Sequence, residues 1–107
     1  GIDLPAPVGT RVQSPFAGVV QKVGENSLLG RYVWVEHANG YRSVFGHLET
    51  AAVEPGTRVR AGEAVGLSGN TGRSTGPHLH YGLYREEIAV DPQGFLPEPG
   101  STLLSER

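Results

Sequence analysis

Two of the four histidines, His78 and His80, flank Leu79 in the stretch Pro77-His78-Leu79-His80-Tyr81. On an extended strand residues i and i+2 share a face, so the two imidazoles project together while Leu79 turns the other way. A pair of imidazoles can share a metal ion, or one can hold metal while the other moves a proton. A third histidine, His47, sits near the end of another apolar-polar run, and an acid, Asp3, follows Gly1-Ile2 at the start of the chain. The loop before the pair, Ser68 to Pro77, is polar and glycine-rich, which lets backbone come close to a ligand. Spacing alone does not decide the matter. An isolated H-x-H is as readily two exposed side chains on an ordinary strand.

The elements that must position these groups read as short strands. Arg11–Gln13, Ala17–Val23, Tyr32–His37, Tyr41–Leu48, Ala64–Ser68 and His78–Arg85 are apolar runs punctuated by glycine or proline. Tyr32–His37 and Tyr41–Leu48 alternate with period two, as half-buried strands do. Asn39-Gly40 between them is a hairpin signal, because both central positions of a type I′ turn need positive φ. No stretch sustains a helical period, and one helical turn is expected at most, over Glu49–Val53. The sequence Gly-Thr-Arg-Val occurs at 9–12 and again at 56–59. In both places a turn glycine leads into a short strand, a small-residue turn and a second strand. Two such β units predict an all-β fold of antiparallel sheets, as a two-half sandwich or open barrel. A single domain is expected, with its core in about residues 1–96 and a surface tail over 97–107.

Composition narrows the function classes. With 107 residues the chain can enclose one hydrophobic core. The 16 glycines and 8 prolines fall between valine-rich runs and so fit turns better than disorder. Net charge is −2 and Lys22 is the one lysine, so no basic stripe is available to neutralise phosphates and nucleic-acid binding is disfavoured. The absence of cysteine excludes disulfides and thiolate zinc sites and suits an exported protein. No apolar run reaches the roughly 18 to 20 residues of a membrane span. The chain begins at Gly1 without methionine, and we read it as a segment of a longer protein.

"GIDLPAPVGTRV", "SPFAGVV", "YVWVEHANGYRSVFGHL", "GTRVRAGEAVGLSGNTGRSTGPHLHYGLY" and "VDPQGFL" occur in that order. In this the chain resembles the lysostaphin/LytM-type zinc metallopeptidases over roughly residues 1 to 96. That resemblance implies an antiparallel β fold with a long groove, one zinc ion, and hydrolysis of peptide bonds in peptidoglycan stems or cross-bridges, in the periplasm or outside the cell. It implies that Asp3 and His80 are zinc ligands and that His47 and His78 act on the water and the transition state. His37 falls outside the catalytic set and is read as structural. Asn70, Arg73, Ser74 and Thr75 of the loop, with Tyr81, are candidate substrate contacts; Arg73 could hold a stem-peptide carboxylate bidentately. Gly82 stands where an acidic residue is frequent in the family.

The resemblance also implies a third zinc ligand, a histidine two positions before Gly1, outside these residues. Two donors are fewer than the three that a hydrolytic zinc site uses beside water. Two alternatives accompany the enzyme reading. One is a non-catalytic relative that binds peptidoglycan or activates a cell-wall amidase. The other is a biotinyl- or lipoyl-type carrier, which needs a lysine at a hairpin tip, whereas Lys22 lies in a strand-like run.

Overall fold

In a computed structural model, which describes residues 1–96 and 98–106, the chain runs through ten strands. They are β1 (Ile2–Pro5), β2 (Arg11–Gln13), β3 (Gly18–Asn26), β4 (Gly30–Glu36), β5 (Tyr41–Ala51), β6 (Arg58–Val59), β7 (Ala64–Ser68), β8 (His78–Arg85), β9 (Ile88–Val90) and β10 (Leu104–Ser105). A five-residue helix, α1 (Pro99–Leu103), precedes β10. One antiparallel sheet follows the order β10-β2-β7-β5-β4-β3-β6. Strand β8 branches from β5 along one edge and pairs β1 and then β9 along the other. The architecture is the antiparallel, all-β one that the sequence predicts.

Local sequence explains the turns. Asn39 (φ 63°) and Gly40 (φ 79°) both take the left-handed region between β4 and β5, and the Tyr41 amide donates back to the Ala38 carbonyl. That is the type I′ geometry. The repeat is real, and its halves are exchanged. After turn glycines Gly9 (φ 93°) and Gly56 (φ 94°), strand β2 pairs with β7 and β6 pairs with β3. Gly9 N–H donates to Ser68 O at 2.8 Å and Gly56 N–H to Val20 O at 2.7 Å, so each repeat's turn is bonded to the other repeat's second strand.

Alternating side chains from β2, β3, β4, β5, β7 and β8 fill the core, with Val12, Val33, Phe45, Val65 and Leu79 fully buried. Lys22 is inside β3 opposite Trp34, its ammonium 5.3 Å from the indole centroid, far from any hairpin tip.

Two expectations are corrected. Glu49–Val53 forms no helical turn: β5 continues to Ala51, because Thr50 and Ala51 pair with Leu67 and Gly66 of β7. The tail does not lie loose on the surface. Leu103 of α1 is wholly buried, and β10 pairs with β2 (Leu104↔Val12, Ser105↔Arg11). Of the predicted tail, Pro97 and Arg107 lie outside the described residues.

Strand β5 carries the irregularity that matters for the site. From Tyr41 to Gly46 it pairs with β8, and from Leu48 to Ala51 with β7. His47 is the residue at which the partner changes. Against β4, Val33↔Phe45 is followed by Arg31↔Leu48, so β5 holds one extra residue there. This is a β-bulge, a device that re-aims a side chain. His47 takes φ 62°, unusual for a residue other than glycine.

Candidate active site

Sheet register assembles the site from segments far apart in the chain. Antiparallel pairing sets Asp3 opposite His80 and Pro5 opposite His78, while β5 brings Gly46 to the other side of His80. Leu79 is fully buried, so His78 and His80 share the opposite face, as period two requires. His80 Nδ1 donates to Asp3 Oδ1 at 2.9 Å, and His78 Nε2 lies 3.5 Å from the same oxygen. The bulge turns His47 toward them: its ring centroid is 4.6 Å from that of His78 and 6.3 Å from that of His80.

Hydrogen bonds fix two of the tautomers. His47 Nδ1 lies 2.6 Å from the Thr71 carbonyl, and His78 Nδ1 lies 2.8 Å from the Gly76 carbonyl, with Ser74 Oγ at 3.1 Å. A carbonyl only accepts, so both Nδ1 atoms carry hydrogen and Nε2 is the nitrogen without hydrogen in each neutral ring; that of His78 stands 3.5 Å from the Asp3 carboxylate. The hydrogen bond from His80 holds the Asp3 carboxyl below its ordinary pKa. Partial burial opposes that shift, and the charges of His80, His78 and His47 reinforce it. Asp3 is therefore a carboxylate over the working pH range.

These four side chains line a groove of about 440 Å³ together with Leu28, Leu29, Arg73, Ser74 and Thr75. One wall is the β3–β4 turn, where Asn26 Oδ1 accepts from the Leu28 and Leu29 amides at 3.0 and 2.7 Å. The other wall is the loop before β8. The floor is kept low by Gly46, where a Cβ would come within 3.0 Å of Leu29 Cδ2 and 3.6 Å of His80 Cβ. Gly1 makes room in the same way, since a Cβ there would meet His80 Cε1 at 2.9 Å. A larger open concavity lies elsewhere, along the β3–β6 edge, but it contains none of Asp3, His47, His78 and His80. The convergent titratable groups make the smaller groove the site.

Residues 1–92 match the description "Peptidase family M23". The chain belongs to that family. This M23 chain is 42% identical over 93 residues to peptidoglycan DD-endopeptidase ShyC of Vibrio cholerae, covering 87% of this chain and 22% of ShyC. Its structure is similar to the catalytic domain of the antimicrobial peptidase lysostaphin from Staphylococcus simulans, with TM-score 0.85, 32% identity and coverage of 92% and 78% of the two chains. It is also similar to a zinc-containing peptidase from Vibrio cholerae, with TM-score 0.83, 36% identity and coverage of 85% and 28%. The chain spans about a fifth of the length of the curated relatives it matches.

Within the M23 chain the sequence-predicted residues divide. Asp3, His47, His78 and His80 come together, with Arg73, Ser74 and Thr75 along the groove. Asn70 is exposed and does not line it. Tyr81 is corrected: it is fully buried, packed on Phe45 at 5.3 Å between centroids, and cannot touch a substrate in the groove. Tyr81 alternates with His80 and so faces the core. At Gly82 the Tyr84 ring leans over the strand, with Cε1 3.0 Å from where a Cβ would stand, so an acidic side chain has no room without displacing it.

His37 is structural. It donates from Nδ1 to the Ala17 carbonyl at 2.8 Å and accepts at Nε2 from Ser43 Oγ at 2.7 Å; Ser43 Oγ in turn lies 2.7 Å from Tyr81 Oη. Burial lowers the His37 pKa, and burial raises that of Tyr81 to about 12. Sequence reasoning missed Leu28, Leu29, Gly1 and Thr71. Two leucines in a polar turn were the available signal for the first pair.

Asp3 Oδ1 and His80 Nδ1 lie 2.9 Å apart, and a zinc ion held by both would have to replace the proton they share. Among the described residues no group of three or more His, Cys, Asp or Glu side chains could hold a metal. The fit is therefore to part of a zinc site, and no catalytic step is derived through the ion.

Proposed function

We propose that this M23 domain is a zinc-dependent endopeptidase acting on the peptide stems or cross-bridges of peptidoglycan, in the cell envelope. The observation that carries the reading is the pair His47 and His78, each with Nδ1 committed to a loop carbonyl, beside the Asp3–His80 pair. Similarity to a peptidoglycan DD-endopeptidase and to lysostaphin's catalytic domain supports the substrate class. No described helix is long and apolar enough to cross a membrane.

Asp3 and His80 would hold the zinc, with a third donor that these residues do not supply. The ion, when bound, supplies a Lewis acid and lowers the pKa of a water molecule. The protein's own groups do the rest. A peptide lies in the groove between the Leu28–Leu29 turn and the Arg73–Thr75 loop. The Nε2 of His47 or of His78 accepts the proton of the attacking water. The ring that took up this proton, now a donor at Nε2, hydrogen-bonds the developing oxyanion and then delivers the proton to the departing amine, while the other ring lies beside it to share the charge. Ser74 steadies His78 through the bond at Nδ1.

The test is digestion of purified peptidoglycan with zinc analysis in parallel. The reading expects about one zinc per active molecule, muropeptide cleavage, and loss of both in His80→Ala. Zinc-free protein that leaves peptidoglycan intact but binds a cell-wall amidase would replace this reading with the non-catalytic module.

A further inference from the structure

Thr71 is the point at which the groove's parts are tied together. Its carbonyl accepts from His47 Nδ1 at 2.6 Å. Its hydroxyl donates to the Leu48 carbonyl at 2.8 Å and accepts from the Arg31 amide at 3.1 Å, bridging β5 and β4 across the bulge. Glycines flank this contact on both segments. Gly30 (φ 65°) and Gly72 (φ 75°) lie so close that a Cβ on Gly30 would strike the Thr71 backbone and one on Gly72 the Gly30 backbone. Two further bonds close the arrangement, Arg73 N–H to Leu28 O at 3.2 Å and His47 N–H to Leu29 O at 2.6 Å. The β3–β4 turn, the bulge and the loop before β8 thus form one hydrogen-bonded unit with Thr71 at its centre.

A left-handed backbone at a residue such as His47 persists only where its surroundings over-determine it. The ring also needs one nitrogen fixed as donor if the other is to serve as base. Thr71 meets both needs. Its single hydroxyl proton and one lone pair are both used, so a serine could replace it while a valine, of nearly the same shape, could make neither bond.

We propose that Thr71 is a positioning residue for His47: its carbonyl sets the Nδ1–H tautomer, and its hydroxyl holds that carbonyl where the ring can reach it. The effect on rate rests on the peptidase reading; the effect on the tautomer does not. Thr71→Ser, Thr71→Val and Thr71→Ala are compared by ¹⁵N NMR of the imidazoles in this chain and by cleavage kinetics. The wild type and Thr71→Ser show His47 protonated at Nδ1. Thr71→Val and Thr71→Ala, checked for a native fold by circular dichroism, show a shift toward the Nε2–H form. Their kcat falls about tenfold or more, short of the roughly 10²- to 10⁴-fold cost of losing a general base outright, with KM little changed.

An unmoved tautomer in a folded Thr71→Val or Thr71→Ala chain overturns the proposal whatever the enzyme does. So does Thr71→Ser behaving like Thr71→Val, which would assign the role to the methyl group. If both hydroxyl-free variants fail to fold while Thr71→Ser keeps the tautomer but loses rate as they were expected to, the proposal is likewise overturned. A shifted tautomer in a protein whose wild type cleaves nothing would sustain the hold on His47 and remove the peptidase reading.

Discussion

The His47 and His78 rings stand 4.6 Å apart, centroid to centroid and inclined at 50°, although they reach the groove from different strands. Each is anchored by Nδ1 to its own loop carbonyl, so the pair is built as a unit. Residues that act as a unit lose function together. Substituting His47→Ala or His78→Ala is expected to lower kcat about 10²- to 10⁴-fold. The double variant should be little worse than the poorer single one. Steady-state cleavage kinetics on the three variants check this, and multiplying losses would mean that the two rings act in separate steps.

His37 gives the fold a pH dependence of known sign. Burial lowers its pKa below 6.5, so as pH falls the unfolded chain takes up the proton first. Stability is full above pH 6.5 and declines from there down to the folded-state pKa. Protonation also removes the Nε2 lone pair that accepts from Ser43. Urea midpoints at pH 7.5 and 5.5 should separate more in the wild type than in His37→Gln. Equal separation in the two proteins would place the loss elsewhere.

Leu103 tests whether the tail belongs to the core. Its side chain is fully buried and β10 continues the sheet beside β2. Leu103→Ala should cost about 2–5 kcal/mol, as for other buried leucines. Chemical denaturation measures it, and a loss under about 1 kcal/mol would mean that the tail docks only weakly.

Arg73 is expected to read charge on the substrate. It lines the groove, and its amide is tied to Leu28 O, next to an exposed leucine side chain. Peptides that present a carboxylate there should suffer a KM increase of roughly fivefold in Arg73→Gln, since solvent screens an exposed pair to about 1 kcal/mol. Amidated peptides should show no such change. Equal effects on the two peptide types would leave Arg73 a steric role only.

Much of this was legible because period-two alternation is a local signal. It placed His78 and His80 on one face opposite Leu79, while glycine and proline punctuation marked β2, β7 and β8 to the residue. The same alternation turns Tyr81 inward, which the sequence reading overlooked in counting it as a substrate contact. Strands β6 and β10 are two residues long and carry too little pattern to be read; they exist because a partner edge is waiting. The bulge at His47 leaves no mark in composition, since a histidine at positive φ is imposed by tertiary bonds. Thr71 escaped notice for a related reason. Its link to the His47 ring runs through a main-chain carbonyl, which every residue type possesses.

The reciprocal pairing of the two repeats has a kinetic consequence. Since β2 finds its neighbour in β7 and β6 finds its own in β3, neither half of the chain can close its edges alone. Folding must bring distant segments together before much reward is gained, which marks a slow, high-contact-order route. For a growing polypeptide this delays the site as well, because Asp3, made well before β8, waits for that strand before it has anything to face.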